Sequence, residues 1–294
     1  MKVEVVHTTN LTYDADVVEG VMDVRLGPLS DADQRWEHYD LRVSPSAAVR
    51  RYRDGFNNWA HLITLARPHR YVEIVSCGRI STLLADPFRL PDRAPEPLTP
   101  SELADYLTPS ALVPASPALA ALAERHRPAR PKDAFEAVRA LTAFVYADFE
   151  YQKDVTSVST TVDEVLAHRT GVCQDFAHVL LGLCRAVGIP ARYVSGYIVA
   201  ARLAQAQTLG TMSQSQELST GPSRGAGASH AWIEAFTPSH GWRGFDPTNN
   251  LLASEQHVKM AIGRDYADVP PTRGTFRGVA EEHLSVEVVA RAVA

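Results

Sequence analysis

The sequence has few cysteines and no long apolar run, and these absences exclude several classes of protein. Its three cysteines among 294 residues are widely separated and form no Cys-x-x-Cys pair. Neither a disulfide framework nor a paired-ligand zinc or redox site is therefore expected. No stretch is apolar over the length that a membrane span needs, and the short apolar run at the N-terminus contains an acidic residue, unlike a secretory signal. We predict a cytoplasmic protein that does not enter membranes.

Positive charge is also not in excess. The formal net charge is −5 at pH 7, so no general positive field attracts nucleic acid or acidic membranes. We expect neither as a partner. Hydrophobic residues make up 45% of the chain, which is typical of a globular protein with an ordinary core. No pattern indicates the oligomeric state.

The spacing of apolar residues divides the chain into parts. Residues 1–85 alternate with the two-residue period of strands and predict an antiparallel β domain. Residues 86–130 are rich in proline and predict a connector with short helices. The core predicted for residues 131–268 begins with helices and changes to strand periodicity after Pro190. We therefore predict an α+β fold, with residues 269–294 as a C-terminal extension that contains a closing strand.

Cys173 lies at the start of a predicted helix. One apolar face follows it at three- and four-residue spacing, formed by Phe176, Leu180, Leu183 and Val187. Unpaired backbone N–H groups in the first turn of a helix favour an anion, and the thiolate is the reactive form of cysteine. Cys173 is therefore a candidate nucleophile, although an isolated cysteine is more often simply a buried residue.

A base and an orienting group for this cysteine occur further along the chain. His230 begins one predicted strand, and Asp246 ends the next strand before Pro247. Neighbouring antiparallel strands place such residues side by side. A nucleophile, a histidine and a carboxylate in this order predict a catalytic triad.

Residues 201–228 separate the strand after the cysteine helix from the strand of His230. They are rich in Gln, Ser, Gly and Ala and have no periodicity, which predicts a mobile loop. Because both of its ends are tethered near the predicted site, the loop is interpreted as a flap over that site. A tolerated surface insertion is the alternative.

Four segments of the predicted core carry distinctive motifs, namely 171–178 (GVCQDFAH), 188–197 (GIPARYVSGY), 229–234 (SHAWIE) and 241–249 (GWRGFDPTN). Three more lie in the predicted β domain, namely 7–9 (HTT), 25–28 (RLGP) and 54–58 (DGFNN). The first four resemble the core of the bacterial transglutaminase-like proteins, and the other three resemble the β domain that precedes the core in this family. The resemblance implies a papain-like core, in which a helix bearing Cys173 packs on an antiparallel sheet bearing His230 and Asp246.

The same resemblance implies an amide-bond enzyme that works through a thioester. The acyl group would pass to water, giving a protease or amidase, or to an amine, giving a transglutaminase. The shared motif does not fix the acceptor, so a peptide, protein or other amide is the expected partner. Calcium sites of the animal transglutaminases are not recognisable, and no cofactor or metal is predicted.

Further roles are predicted around the triad. The backbone N–H of Cys173 is one donor for the oxyanion, and Tyr151 is a candidate for the second. Trp232 and Trp242 are candidates for the acyl slot, with core packing as the alternative. His178 is predicted to be structural.

Two other classes of function remain open at this stage. One is a metal site formed by Cys173, His178 and His230, against which the missing paired-ligand spacing argues. The other is a catalytically silent binding or scaffold protein that uses the β domain, against which the intact triad argues.

Overall fold

The computed structural model describes residues 1–126, 133–199 and 229–293, so the predicted flap of residues 201–228 lies outside the described residues. In chain order, the first strands and helices are β1 Lys2–Val17, β2 Glu19–Val24, β3 Gln34–Ser44, β4 Ala48–Arg53, β5 Trp59–Leu65, β6 His69–Thr82, α1 Pro100–Leu107, α2 Pro117–His126 and α3 Ala134–Asp148. They are followed by β7 Glu150–Tyr151, α4 Val162–His168, β8 Thr170–Gly171, α5 Cys173–Ala186, β9 Ala191–Ile198, β10 His230–Thr237, β11 Gly241–Asp246, β12 Leu251–Leu252, β13 His257–Gly263, β14 Thr272–Arg277 and β15 Glu282–Val293. None of these helices is long and apolar enough to cross a membrane.

The N-terminal β domain consists of two four-stranded antiparallel sheets. Their strand orders are β15-β1-β6-β3 and β14-β2-β5-β4. The alternation seen in the sequence is the alternation of burial in β1, where Val3 and Val5 face inward and their neighbours do not. The two C-terminal strands complete this domain, because β14 pairs with β2 and β15 pairs with β1.

The core packs the cysteine helix on a five-stranded sheet of order β12-β11-β10-β9-β13. Ala231, Ile233 and Ala235 project from alternate positions of β10 into the same apolar cluster as Phe176 and Leu180 of α5. Helices α2, α3 and α4 contact α5. The predicted α+β arrangement, with the cysteine helix on an antiparallel sheet, is confirmed.

The β domain and the core share a tight boundary along β13, the edge strand of the core sheet. The side-chain amide of Gln34 accepts a hydrogen bond from the Lys259 backbone N–H at 2.8 Å and donates one to the Lys259 carbonyl at 2.7 Å. Asn58 makes the same pair of bonds with Ile262, at 2.9 and 2.7 Å. Two amide side chains thus take the place of a neighbouring strand and satisfy an otherwise open sheet edge.

Candidate active site

Cys173 is the first residue of α5, where the helix N–H groups are unpaired. Asp175 supports this turn. Its Oδ2 accepts hydrogen bonds from the Val172 backbone N–H at 2.8 Å and from the Thr156 hydroxyl at 2.6 Å. A Cβ on Gly171 would lie 2.6 Å from the same Oδ2, so a glycine is needed where the chain approaches the cysteine helix.

The structure brings His230 and Asp246 together at neighbouring strand ends. Strands β10 and β11 pair in antiparallel register, and His230 Nε2 lies 2.8 Å from Asp246 Oδ2. Both side chains are fully buried. A hydrogen bond between these two groups in a water-free environment holds the imidazole in one orientation.

Asp246 is held ionised by the donors around it. Its Oδ1 accepts hydrogen bonds from the backbone N–H groups of Thr248 and Asn249 at 2.9 and 3.2 Å, and its Oδ2 accepts one from Asn249 Nδ2 at 2.8 Å. Burial alone would raise the pKa of this carboxyl, but the charge of His230 and the hydrogen bonds from His230 and His257 hold its pKa far below the ordinary value.

His230 has one ring nitrogen left for the cysteine. Burial lowers the pKa of His230. Asp246, and after it Cys173, raise this pKa by more than burial lowers it, so that it reaches about 10. No described residue forms a hydrogen bond of ordinary geometry with His230 Nδ1, although Cys173 is near enough to contribute to this shift. Since Nε2 is bonded to Asp246, Nδ1 is the atom available to exchange a proton with Cys173.

The other predicted residues lie at different distances from this centre. Tyr151 is half-buried and pairs in register with Gly171, beside the start of the cysteine helix. Trp232 is fully buried and stacks with His230, with ring centroids 6.0 Å apart. Trp242 is at the opposite end of β11 from Asp246, where Arg192 lies 4.1 Å from its ring. Roles for the three in substrate binding stay predictions.

His178 has the structural surroundings that were predicted for it. It is fully buried, and burial lowers its pKa to about 4. Its Nε2 accepts a hydrogen bond from the Tyr266 backbone N–H at 3.2 Å. In the described part of the chain, the residues grouped closely enough to hold a metal ion are His230, Asp246 and His257, a set that includes neither Cys173 nor His178.

Sequence reasoning missed His257, whose Nε2 lies 3.4 Å from Asp246 Oδ2. It also missed strand β13, on which His257 lies. The signal was present, because Val258 and Met260 alternate with His257 and Lys259. A strand that buries polar residues on one face and apolar residues on the other resembles an exposed amphipathic strand in sequence.

A buried group of charges borders the same sheet. Glu234 contacts Arg192 at 2.6 Å and Lys259 at 2.8 Å, and Lys259 reaches Asp31 of the β domain at 2.5 Å. Burial raises the pKa of Glu234, but Lys259 and Arg192 together lower its pKa to about 2. The ammonium group of Lys259 thereby links a carboxylate of the core to a carboxylate of the β domain.

This arrangement predicts how stability depends on acid. Because the pKa of Glu234 falls from 4.5 to about 2 on folding, its contribution is complete above pH 4.5 and is lost as the pH falls toward 2. The free energy of unfolding of the wild type should therefore exceed that of Glu234→Gln most at pH 7. Urea unfolding of both proteins at pH 7 and pH 3.5 measures this difference, and an equal difference at the two pH values would contradict the assignment.

Two family models match consecutive parts of the chain. The bacterial transglutaminase-like N-terminal region matches residues 3–81, and the transglutaminase-like superfamily model matches residues 121–247. A protein-glutamine gamma-glutamyltransferase of Pseudomonas aeruginosa is 28% identical over 171 residues, which are 56% of this chain and 24% of that protein.

Other relatives match nearly the whole length. An uncharacterised protein of Mycobacterium tuberculosis is 32% identical over 320 residues, covering 97% of this chain and 91% of the relative. One of Mycobacterium leprae is 30% identical over 296 residues, covering 98% and 97%. The structure of a proposed cysteine protease from Cytophaga hutchinsonii superposes with a TM-score of 0.74 at 23% identity, covering 99% of this chain and 90% of that chain, and shows the same fold. With family models on both parts and relatives of this identity over its length, the chain belongs to the transglutaminase-like superfamily.

Proposed function

We propose that the protein is a cysteine-dependent amide-bond enzyme in which Cys173, His230 and Asp246 act as the triad. The observation that carries this proposal is the buried 2.8 Å bond between His230 Nε2 and Asp246 Oδ2. It leaves Nδ1 of a strongly basic imidazole for a cysteine at a helix N-terminus. A base with a free ring nitrogen and a carboxylate that orients it are two of the parts that an activated nucleophile requires.

The proposed reaction has two steps. The sulfur of Cys173 attacks the carbonyl carbon of an amide, and His230 passes the former thiol proton to the departing amine or ammonia, which leaves a thioester. Water or a primary amine then attacks the thioester carbonyl carbon, and the bond between that carbon and sulfur breaks. The proton of the attacking group passes through His230 to the Cys173 sulfur, and the acid or the new amide leaves. Asp246 keeps the ring oriented in both steps. The Cys173 backbone N–H is the proposed oxyanion donor, with Tyr151 the candidate beside it.

Hydrolysis of a peptide or amide is the activity proposed first, and acyl transfer to an amine is the second candidate. The partial match to the glutamyltransferase of Pseudomonas aeruginosa supports the second. Incubation with a glutamine-containing peptide, with and without a primary amine, distinguishes them by mass spectrometry. A cleaved or deamidated product supports hydrolysis, and an amine adduct supports transfer. Absence of all three over a peptide library would favour the scaffold alternative.

Thiol reactivity tests the nucleophile without a known substrate. We expect iodoacetamide at pH 6 to label Cys173 first, because it lies beside a basic imidazole at a helix start. Cys77 is the matched control, since both cysteines are partly exposed. Cys184 should react last, because burial raises its pKa to about 12. Peptide mapping over time measures the three rates, and labelling of Cys77 as fast as Cys173 would contradict an activated thiol.

A further inference from the structure

We propose that His257 is a positioning residue that holds Asp246, and through it His230, in the reactive orientation. The proposal rests on the proposed function, since it assigns a role within that site. The site then contains two imidazoles that contact one carboxylate. His230 Nε2, on β10, lies 2.8 Å from Asp246 Oδ2, and His257 Nε2, on β13, lies 3.4 Å from the same oxygen.

The protonation of His257 follows from its other hydrogen bond. The backbone N–H of Ser254 lies 3.3 Å from His257 Nδ1 and donates to it, so Nδ1 carries no proton. The ring proton is therefore on Nε2, which points at Asp246 Oδ2. This assignment makes His257 a hydrogen-bond donor to the ionised carboxylate.

The ring of His257 is fixed by packing. Its side chain is 2% exposed, and Trp232 packs edge-on against it with ring centroids 5.2 Å apart. Trp232 also stacks with His230. One indole thus packs against both imidazoles that meet at Asp246, which is the kind of support that keeps a catalytic geometry constant.

The position of His257 depends on the β domain. His257 lies two residues before Lys259 on β13, and Gln34 of the β domain binds both backbone groups of Lys259. The side chain of Lys259 is bound to Asp31 of the same domain at 2.5 Å. On this proposal the β domain holds the strand that carries His257 and thereby acts on the site through that residue.

Two substitutions separate a hydrogen-bonding role from a packing role. His257→Phe keeps a ring against Trp232 but removes the donor, and His257→Gln places an amide N–H near the original Nε2. We expect His257→Phe to lower kcat by about 10- to 100-fold with little change in KM, as loss of an orienting partner typically does. His257→Gln should restore most of the rate. His240→Phe is the matched control, because His240 is also buried but lies in the turn at the other ends of β10 and β11.

Two readouts do not need a substrate and so keep this test separate from that of the proposed function. In the wild type, ¹⁵N NMR of the imidazoles should show the His257 proton on Nε2, and His257→Phe should shift the His230 signals and slow Cys173 alkylation. Both results would support the positioning role even if no amide were turned over. A proton on Nδ1, a stoichiometric metal ion in the purified protein, or a folded His257→Phe with alkylation and His230 signals like those of His240→Phe would overturn it.

Discussion

Replacing Cys173 with alanine should remove essentially all turnover of an amide substrate. The thioester cannot form without the sulfur, and loss of the nucleophile in a triad lowers kcat by a factor on the order of 10⁶. The fold should be retained, because Cys173 is only partly buried and Asp175 continues to support the helix start. Ammonia release and product masses measure the activity, and thermal unfolding checks the fold.

The control for this experiment is Cys77→Ala, which removes a partly exposed thiol from β6 and should leave the rate unchanged. The double variant Cys173→Ala with His230→Ala should be no slower than Cys173→Ala alone, because groups that act as one unit do not lose activity additively. Residual turnover by Cys173→Ala at more than a few per cent of the wild-type rate would exclude the thioester mechanism.

The three residues of the predicted triad lie near one another, and local patterns determine their positions. The apolar spacing around Phe176 and Leu180 requires a helix with Cys173 at its start. A hairpin between β10 and β11 requires that a residue near the start of one strand meets a residue near the end of the next, as His230 and Asp246 do. Both inferences need only short stretches of sequence.

The parts that were missed depend on contacts between distant segments. Gln34 and Lys259 are 225 residues apart, and nothing in either segment indicates its partner. The closing strand that the sequence predicts is β15, but its place beside β1 follows only from the three-dimensional packing. Strand β14, which pairs with β2, was not predicted. The contact of His257 with Asp246 also joins distant segments, because it depends on the approach of β13 to the end of β11.

The surroundings of Trp232 could not be predicted from the sequence motif that contains it. Trp232 alternates with Ala231 and Ile233 on β10, and the structure places it in a different apolar cluster from those two residues and the cysteine helix. The sequence pattern did not indicate what Trp232 packs against. The structure shows His230 and His257 on its ring. An aromatic residue near a proposed catalytic histidine in sequence can therefore pack against the imidazole, a contact that the motif alone does not indicate.

The largest stability effect is expected for Lys259→Met. Lys259 is 6% exposed and its ammonium joins Glu234 of the core sheet to Asp31 of the β domain. Methionine fills similar space but leaves Glu234 with Arg192 alone and leaves Asp31 without its cation. Removing one partner of a buried ion pair costs about 3–5 kcal/mol when the remaining charge is left uncompensated. The loss here should lie at the lower end of that range, because Glu234 keeps Arg192 and Asp31 is 31% exposed to water. Urea unfolding at pH 7 measures the loss.

Arg42→Met is the matched control for this substitution, because it breaks a 2.7 Å ion pair with Asp40 on the exposed side of β3. Water solvates both of those groups, so the free energy of unfolding should hardly change. The same Lys259→Met variant should also slow Cys173 alkylation, since a loosened β13 no longer holds His257 against Asp246. If Lys259→Met has the same free energy of unfolding as Arg42→Met, the charge cluster does not stabilise the boundary. If Lys259→Met is destabilised but Cys173 in its folded form is alkylated at the wild-type rate, the charge cluster and the active site are independent.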